Sequence, residues 1–498
     1  MPAILLQIVI VPAIAAILIF ALRFRLGYKA GYVAVASLAY TTVLLVLAGM
    51  RVWDGVILTE EYMLVEPGIR LGFLADGLSL PTALVINVLC TALGTYSIHY
   101  VHHRIEVLYP TVSRRTEYSF YGRFFALFLF FPMGFMGVTF STNLVEMYFF
   151  LEVLTITLYF LMAWFGYRQR VRVAFICLAW GIISALFFLA SSLLIYHEIG
   201  TLEISRIQAL SGTPVAAWVA ALYLVGLASK LAIVPLHVWM PWVHAEHPTC
   251  IAGLLAVYAN LALYVLVRIV VLPLRADIGV FGQPIMVLAL ITMIYGSLLT
   301  MAQTDIKRLA ACSTISQIAY SVLGLGALTQ VSIEGGMFFF LSHIMGKTIF
   351  FSTAGIVVYT TGVRDMNKMG GLAQKMPLTA MLWVMGAMML SGFPPFSSFT
   401  AEWIMFTGIF ERGVIEAPFA VTVAILGILA ILLTVGYTFN AMRKIFFGPL
   451  SPEMASKPLK DPPLLMSVPL LIVAACSILL GLYPRLVMDF FHKVLHVL

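Results

Sequence analysis

The chain is short of charge. Only 10% of its 498 residues are Asp, Glu, Lys or Arg, against 62% hydrophobic. Soluble globular domains average about 25% charged residues. Too little charge is present to cover a water-exposed surface of this size. Soluble enzymes, secreted or disordered chains and coiled coils are excluded, and a polytopic membrane protein is left. Cysteine is also scarce: Cys90, Cys177, Cys250, Cys312 and Cys476 are scattered and form no CxxC pair. No His/Cys group has metal-ligand spacing. Walker loops, strand-borne GxGxxG turns and haem or flavin motifs are missing too. The expectation is a chain that binds neither metal nor cofactor. Dense basic patches are absent, so the formal charge of +7 does not mark a nucleic-acid binder.

What is abundant is long apolar runs. Fourteen stretches reach the roughly 20 residues a membrane-crossing helix needs: 3–22, 31–50, 78–98, 121–140, 142–164, 173–195, 214–237, 249–271, 280–301, 307–328, 333–360, 376–410, 416–442 and 463–484. The first has no basic leader, and Arg23 and Arg25 follow it, so it reads as a retained helix rather than a signal peptide. With both termini outside, nineteen cations fall in inner loops, among them Arg114, Arg115, Lys307, Arg308 and Arg364. Eight fall outside, among them Arg51, Arg70 and Arg268. This positive-inside bias and the even span count agree.

Lys230 and Lys347 are left over within apolar spans, as are Glu146, Glu152 and Glu402. Each such charge costs about 2.5–3.5 kcal/mol on insertion scales, and intramembrane ionisable groups mark ion or proton paths. Glu152 has no cation within two turns and calls for a partner on another helix. Glu146 lies nearer the outer end, where it can reach the interface. Lys230 precedes Pro235, which removes a backbone donor and frees a carbonyl. A helix broken at membrane depth is tolerated where it lines a cavity. His237, His244 and His247 follow toward the inner face. Their spacing does not suit a metal site, whereas imidazoles that titrate near neutrality suit a proton entry route. His343 and Lys347 lie four apart, on one helical face. Gly392, Pro394 and Pro395 make a second break, with Glu402 seven residues beyond Pro395. Paired interruptions in two halves of a chain point to internal repeats around a path at mid-depth.

Several stretches resemble one family: DGLSL (76–80), the F-x-E pattern at 150–152, SKLAIVPLHVWMPWVHAEHPT (229–249), QTDIKRLAACSTISQIAYS (303–321), SHIMGKTIFF (342–351), GFPPFSSFTAEW (392–403) and RKIFFGP (443–449). The chain is similar to the antiporter-like membrane subunits of respiratory complex I, Mrp-type cation/proton antiporters, membrane-bound hydrogenases and coenzyme F420-linked dehydrogenases. The resemblance implies an all-α fold of about fourteen transmembrane helices with two inverted five-helix repeats, each with a broken helix. On that scheme residues 1–120 hold the first three helices and a polar loop, 121–271 and 280–442 are the repeats, and 443–498 a loop and the last helix. The resemblance pairs Glu152 with Lys230, places His343 and Lys347 on the central axis, and puts Glu402 at the terminal position. A glutamate there favours the M-type subunit of complex I. Two positions depart from the pattern: Asn260 stands where a lysine is frequent, and Phe339 where a second histidine is.

The expected function is proton translocation within a redox-driven complex. Protons would pass from His237 or His244 to Lys230, then through Lys347 and His343 to Glu402, with Asn260 and Glu146 as secondary positions. Quinone, iron–sulfur and flavin groups would belong to partner subunits, which include further antiporter-like chains. The host is an energy-transducing bilayer, that of a prokaryotic cell. A subunit of an Mrp-type Na⁺/H⁺ antiporter and a membrane scaffold without transport are the rival readings.

Overall fold

The computed structural model describes residues 3–65, 69–415 and 418–496; the side chain of Arg70 and the first two residues of the span at 416–442 lie outside the described residues. The elements in order are α1 (Ile4–Leu26), α2 (Ala30–Trp53), β1 (Leu58–Val65), β2 (Ile69–Ala75), α3 (Ser79–Leu108), α4 (Arg114–Phe140), α5 (Leu144–Phe165), α6 (Arg170–Ile199), α7 (Pro214–Lys230), α8 (Met240–Glu246) and α9 (Thr249–Leu266). There follow α10 (Arg275–Ile278), α11 (Gly282–Met301), α12 (Ile306–Gly326), α13 (Gln330–Thr361), α14 (Pro377–Leu390), α15 (Ser397–Ile415), α16 (Pro418–Phe446), α17 (Pro452–Ala455), α18 (Leu464–Leu482) and α19 (Arg485–Leu495). Among the described residues, eleven helical segments are long and apolar enough to cross a membrane, the first being α1 and α2 taken together across the Gly27–Lys29 turn. Two shorter apolar helices, α7 and α14, each run into a break.

One part departs from an all-helical chain. β1 and β2 form an antiparallel hairpin with Leu58 opposite Ala75 and an irregularity between Glu61 and Met63. Its Glu60 carboxylate accepts the backbone N–H groups of Leu5 and Leu6, both at 3.0 Å. An acid placed on the free donors of a helix start is favourable, so the hairpin closes the first turn of α1.

The helices sort by burial. The apolar windows of α9, α12 and α13 are wholly buried, whereas those of α6 and α16 are one-third buried. The outer helices need only a thin inward stripe. The inner three touch protein all round, and a helix in that position is the place where polar side chains find partners other than lipid.

The two breaks share one backbone design. In the first, Leu231 N–H bonds to Leu227 O, Ile233 N–H to Ala228 O and Leu236 N–H to Ile233 O, with Ala232 in the left-handed region (φ 53°). In the second, Ser391 bonds to Ala387, Phe393 to Met388 and Phe396 to Phe393 in the same sense, with Gly392 at φ 64°. Every member of the second set follows its counterpart by one constant offset in numbering. Freed backbone groups of the first break are taken up by neighbours: Trp239 Nε1 donates to Ser229 O (3.0 Å) and Val234 N–H to Thr292 Oγ1 (3.1 Å).

Candidate functional site

Lys230 is the last residue of α7, where the helix stops short at the first break. It is 5% exposed, and its ammonium lies 4.4 Å from the centroid of the Tyr258 ring. Tyr258 is in turn hydrogen-bonded to Thr155, 3.0 Å, three residues after Glu152 on α5. Glu152 and Lys230 lie within electrostatic reach of each other but not in ion-pair contact. The Tyr258 ring thus stands beside the ammonium, and its hydroxyl is tied to the helix that carries Glu152.

The second group sits on the three central helices. On α13 the Lys347 ammonium donates to Ser313 Oγ (2.5 Å) and Ala310 O (3.2 Å) of α12, with the rings of Phe350 and Phe351 5.8 and 5.7 Å away. Among the described residues no carboxylate reaches it. One turn before Lys347, His343 Nδ1 meets Asn260 Oδ1 of α9 at 3.1 Å, while Asn260 Nδ2 donates to Ala256 O at 2.7 Å. Because the amide nitrogen is already committed, its oxygen faces the ring and Nδ1 is the donor. His343 Nε2 has no protein partner and is buried. Asn260, the position where sequence reasoning saw an interruption, is a physical joint between the two halves. Phe339, the other departure, is stacked between Tyr320 and His343, with centroids at 5.2 and 6.2 Å.

The histidines of the first break divide. His244 is fully buried between Trp239 and Phe351, within reach of His247, Lys347 and His343. Neither ring nitrogen of His244 or of His247 has a protein partner. His237 instead packs edge-on against Tyr295 of α11, 4.9 Å between centroids. The structure therefore groups His244, which follows the first break, with Lys347 of α13. Glu146 is buried rather than at the interface: it accepts the Thr142 N–H (3.2 Å) in the first turn of α5.

Glu402, in α15, is 6% exposed. Its carboxylate lies so close to Gly392 that any β-carbon there would overlap it. Tyr320 and Tyr437 lie within electrostatic reach of it. Between Lys347 and Glu402 runs a polar stripe of α12 at helical spacing. After Ser313 comes Gln317, which donates to Thr434 Oγ1 (3.2 Å) and the Tyr437 hydroxyl (3.4 Å), and then Tyr320, which meets Thr434 at 3.4 Å. Gln317 Oε1 and Ser321 Oγ are buried without protein partners.

Sequence reasoning placed Lys307 in an inner loop; the structure buries it completely. Asp305 caps α12 through the N–H groups of Lys307 and Arg308, which draws the start of the helix into the protein. There Lys307 donates to His247 O (2.6 Å) over the face of Tyr167, 3.4 Å from its centroid. A cavity of about 550 Å³ opens beside it on the same face, lined by Arg168, Trp242, Glu246, Asp305, Arg308 and Arg364. Arg364 bridges Asp305 (2.8 Å) and Glu246 (3.2 Å). Burial alone would lower its pKa, but the two carboxylates outweigh that and hold the guanidinium above its ordinary range. At the opposite end Arg268, counted from sequence as an outer cation, makes a bidentate pair with Asp76 of DGLSL at 2.7 Å for each bond. Burial pushes the Asp76 carboxyl up; Arg268 more than cancels this and leaves it below the usual carboxylate range. Arg268 showed in the sequence only as an ionisable residue near a predicted helix end, and Lys307 as that and as part of the family-like stretch 303–321.

The match to known proteins covers most of this arrangement. Residues 141–447 match the family described as NADH:quinone oxidoreductase/Mrp antiporter, TM. NADH-quinone oxidoreductase subunit N of Desulforudis audaxviator is 30% identical over 383 residues, 73% of this chain and 74% of that protein. A Na(+)/H(+) antiporter subunit of Alkalihalophilus pseudofirmus is 28% identical over 368 residues, 73% of each chain. Among solved structures, a chain of the Mrp complex from Dietzia sp. DQ12-45-1b superposes with a TM-score of 0.87 at 22% identity, over 99% of this chain and 96% of that one, a likeness of fold. This chain belongs to the NADH:quinone oxidoreductase/Mrp antiporter transmembrane family.

Proposed function

We propose that the chain is the proton-translocating membrane subunit of a multi-subunit, redox-driven complex, closest to the M-type antiporter-like subunit. The observation that carries this reading is the line of ionisable groups set on two breaks of one design, from the half-buried Glu152 to the buried Lys230, His244, His343, Lys347 and Glu402. The common register of the breaks supports two inverted five-helix repeats, at 121–271 and 280–442. Counting α1 and α2 separately and each broken helix once supports fourteen spans. Both termini then face outward, and the face of Lys307 and Arg364 is inward.

Protons enter from the cavity beside Glu246 and Arg364, by way of His247 and His244. The stripe Ser313–Gln317–Tyr320 and the hydroxyls of Thr434 and Tyr437 line the stretch from Lys347 to Glu402. The controlling variable is how close the carboxylate of Glu152 comes to Lys230. A charge in a low-dielectric site depends on its partner, and such a pair titrates as a unit. Each unit of pKa swing supplies about 1.4 kcal/mol. Moving one charge against 100 mV costs about 2.3 kcal/mol. A swing of a few units therefore drives one proton. The chain contributes no electron carrier to this scheme; partner subunits hold the quinone, flavin and iron–sulfur groups and supply the energy.

The test is proton uptake by the intact complex in vesicles. Lys230→Met and Glu402→Gln are expected to abolish uptake while the chain still assembles. Normal uptake in either variant removes that residue from the route. The relationship to the Na(+)/H(+) antiporter protein of Alkalihalophilus pseudofirmus favours a second reading, a gradient-driven Na⁺/H⁺ antiporter subunit. Uptake that follows an imposed Na⁺ gradient without an electron donor would establish it in place of the first.

A further inference from the structure

His102 and Glu106 stand one turn apart on the last turns of α3, and Glu117 projects from the first turn of α4. His102 Nε2 lies 3.2 Å from Glu117 Oε1 and 3.8 Å from Glu106 Oε1. One ligand atom from each of the three side chains falls within 4.8 Å of the others. The Tyr28 hydroxyl, in the turn between α1 and α2, is 2.9 Å from the same His102 nitrogen and bonds to Glu117. We propose that these groups form a divalent transition-metal site, of the class that takes Zn²⁺, with His102, Glu106 and Glu117 as ligands.

Zinc bonded to nitrogen and oxygen at about 2.0–2.2 Å in a tetrahedron holds its ligand atoms roughly 3.3–3.6 Å apart. The two measured separations bracket that value, so small rotations of exposed side chains complete the site. Charge points the same way. Arg23, Arg114 and Arg115 lie on this face, and Arg114 comes within reach of Tyr28. Yet among the described residues Glu106 and Glu117 make no ion pair with any lysine or arginine; besides the neighbouring His103, they converge on His102. The two carboxylates therefore lack a lysine or arginine counter-charge, and a divalent ion supplies one. The side chains of His102, Glu106 and Glu117 are 39%, 56% and 17% exposed, so an ion can enter from solution. Bound there it would tie the start of α4 to the end of α3, beside the turn that joins α1 to α2. Sequence spacing hid the set because its third ligand lies on the next helix.

The site does not rest on the proposed proton path, and its test needs no transport. The detergent-solubilised complex, stripped with a chelator, would be titrated with ZnCl₂ at pH 7.5 by calorimetry, with thermal unfolding followed alongside. Saturable binding with a rise in unfolding temperature is expected for the wild type. His102→Ala and Glu117→Gln should each weaken binding at least tenfold and remove the thermal rise. His492→Ala, an exposed histidine at the far end of the chain in α19, should bind as the wild type does. Binding of unchanged strength in His102→Ala, or no saturable binding in the wild type, would overturn the site and leave a plain histidine–carboxylate contact.

Discussion

The two breaks have one backbone and opposite chemistry. At the first, the ionisable group ends the leading helix as Lys230; the equivalent place in the second is Leu390. At the second, the ionisable group is Glu402 in the trailing helix; the equivalent place in the first is Trp242. The left-handed residue differs as well, Ala232 against Gly392. Backbone geometry therefore sets where a gap opens, and the side chains choose independently which sign of charge stands on which lip. Glycine is required only where the acid leans over the break: the Glu402 carboxylate occupies the space of a β-carbon at residue 392.

The comparison breaks most sharply if charge at either lip is dispensable. Lys230→Met and Glu402→Gln are each expected to lower vesicle proton uptake at least a hundredfold, equivalent to about 2.7 kcal/mol or more. A second effect, read in stability rather than transport, tests whether the frame around the breaks is held by the Asp76–Arg268 pair. Asp76→Asn leaves a buried guanidinium half-paired and should cost about 3–5 kcal/mol in thermal unfolding of the solubilised protein. The folded Asp76 carboxyl titrates below its unfolded value. Its stabilisation is complete above the ordinary carboxylate range and is lost as pH falls through the depressed value. The mutant should therefore lose the acid-side slope that the wild type shows. Third, Gly392→Ala overlaps Glu402 and should cost about 1–3 kcal/mol and slow uptake, whereas Ala232→Gly should stabilise by up to about 1 kcal/mol with uptake unchanged. Equal effects at the two positions would show that the carboxylate does not make the difference. The smallest effect is expected from Gln317→Leu, which gives up two long hydrogen bonds for about 1 kcal/mol and lowers uptake without touching Lys230 or Glu402.

The legible part of this molecule was whatever broke a rule locally. Pro235 and Pro394–Pro395 announced the interruptions, and Lys230, Lys347 and Glu402 stood out because nothing near them in sequence explained them. What stayed hidden needed a partner distant in sequence. Asp76 pairs with Arg268 across 192 positions and Lys307 with the His247 carbonyl across 60; the family-like stretches drew notice to Asp76 and Lys307, but nothing in the sequence named their partners. Ser313, Gln317 and Tyr320 carry no formal charge, so no cost at membrane depth drew notice to them. Only the burial of α12 on every side turns their spacing into a lining. The hairpin of Leu58–Ala75 was missed because a short strand pair leaves a weak trace among apolar runs twenty residues long.

The amide of Asn260 neither gives up nor accepts a proton near neutral pH. Its oxygen holds the hydrogen on His343 Nδ1 in place, and its nitrogen is tied to its own helix. A hydrogen ion cannot hop across such a joint, yet the dipole registers the electric state of both neighbours. On the proposed route the joint is a dielectric spacer: hydrogen ions go around the amide, on the side of His244, while its dipole carries the electric influence of one half to the other.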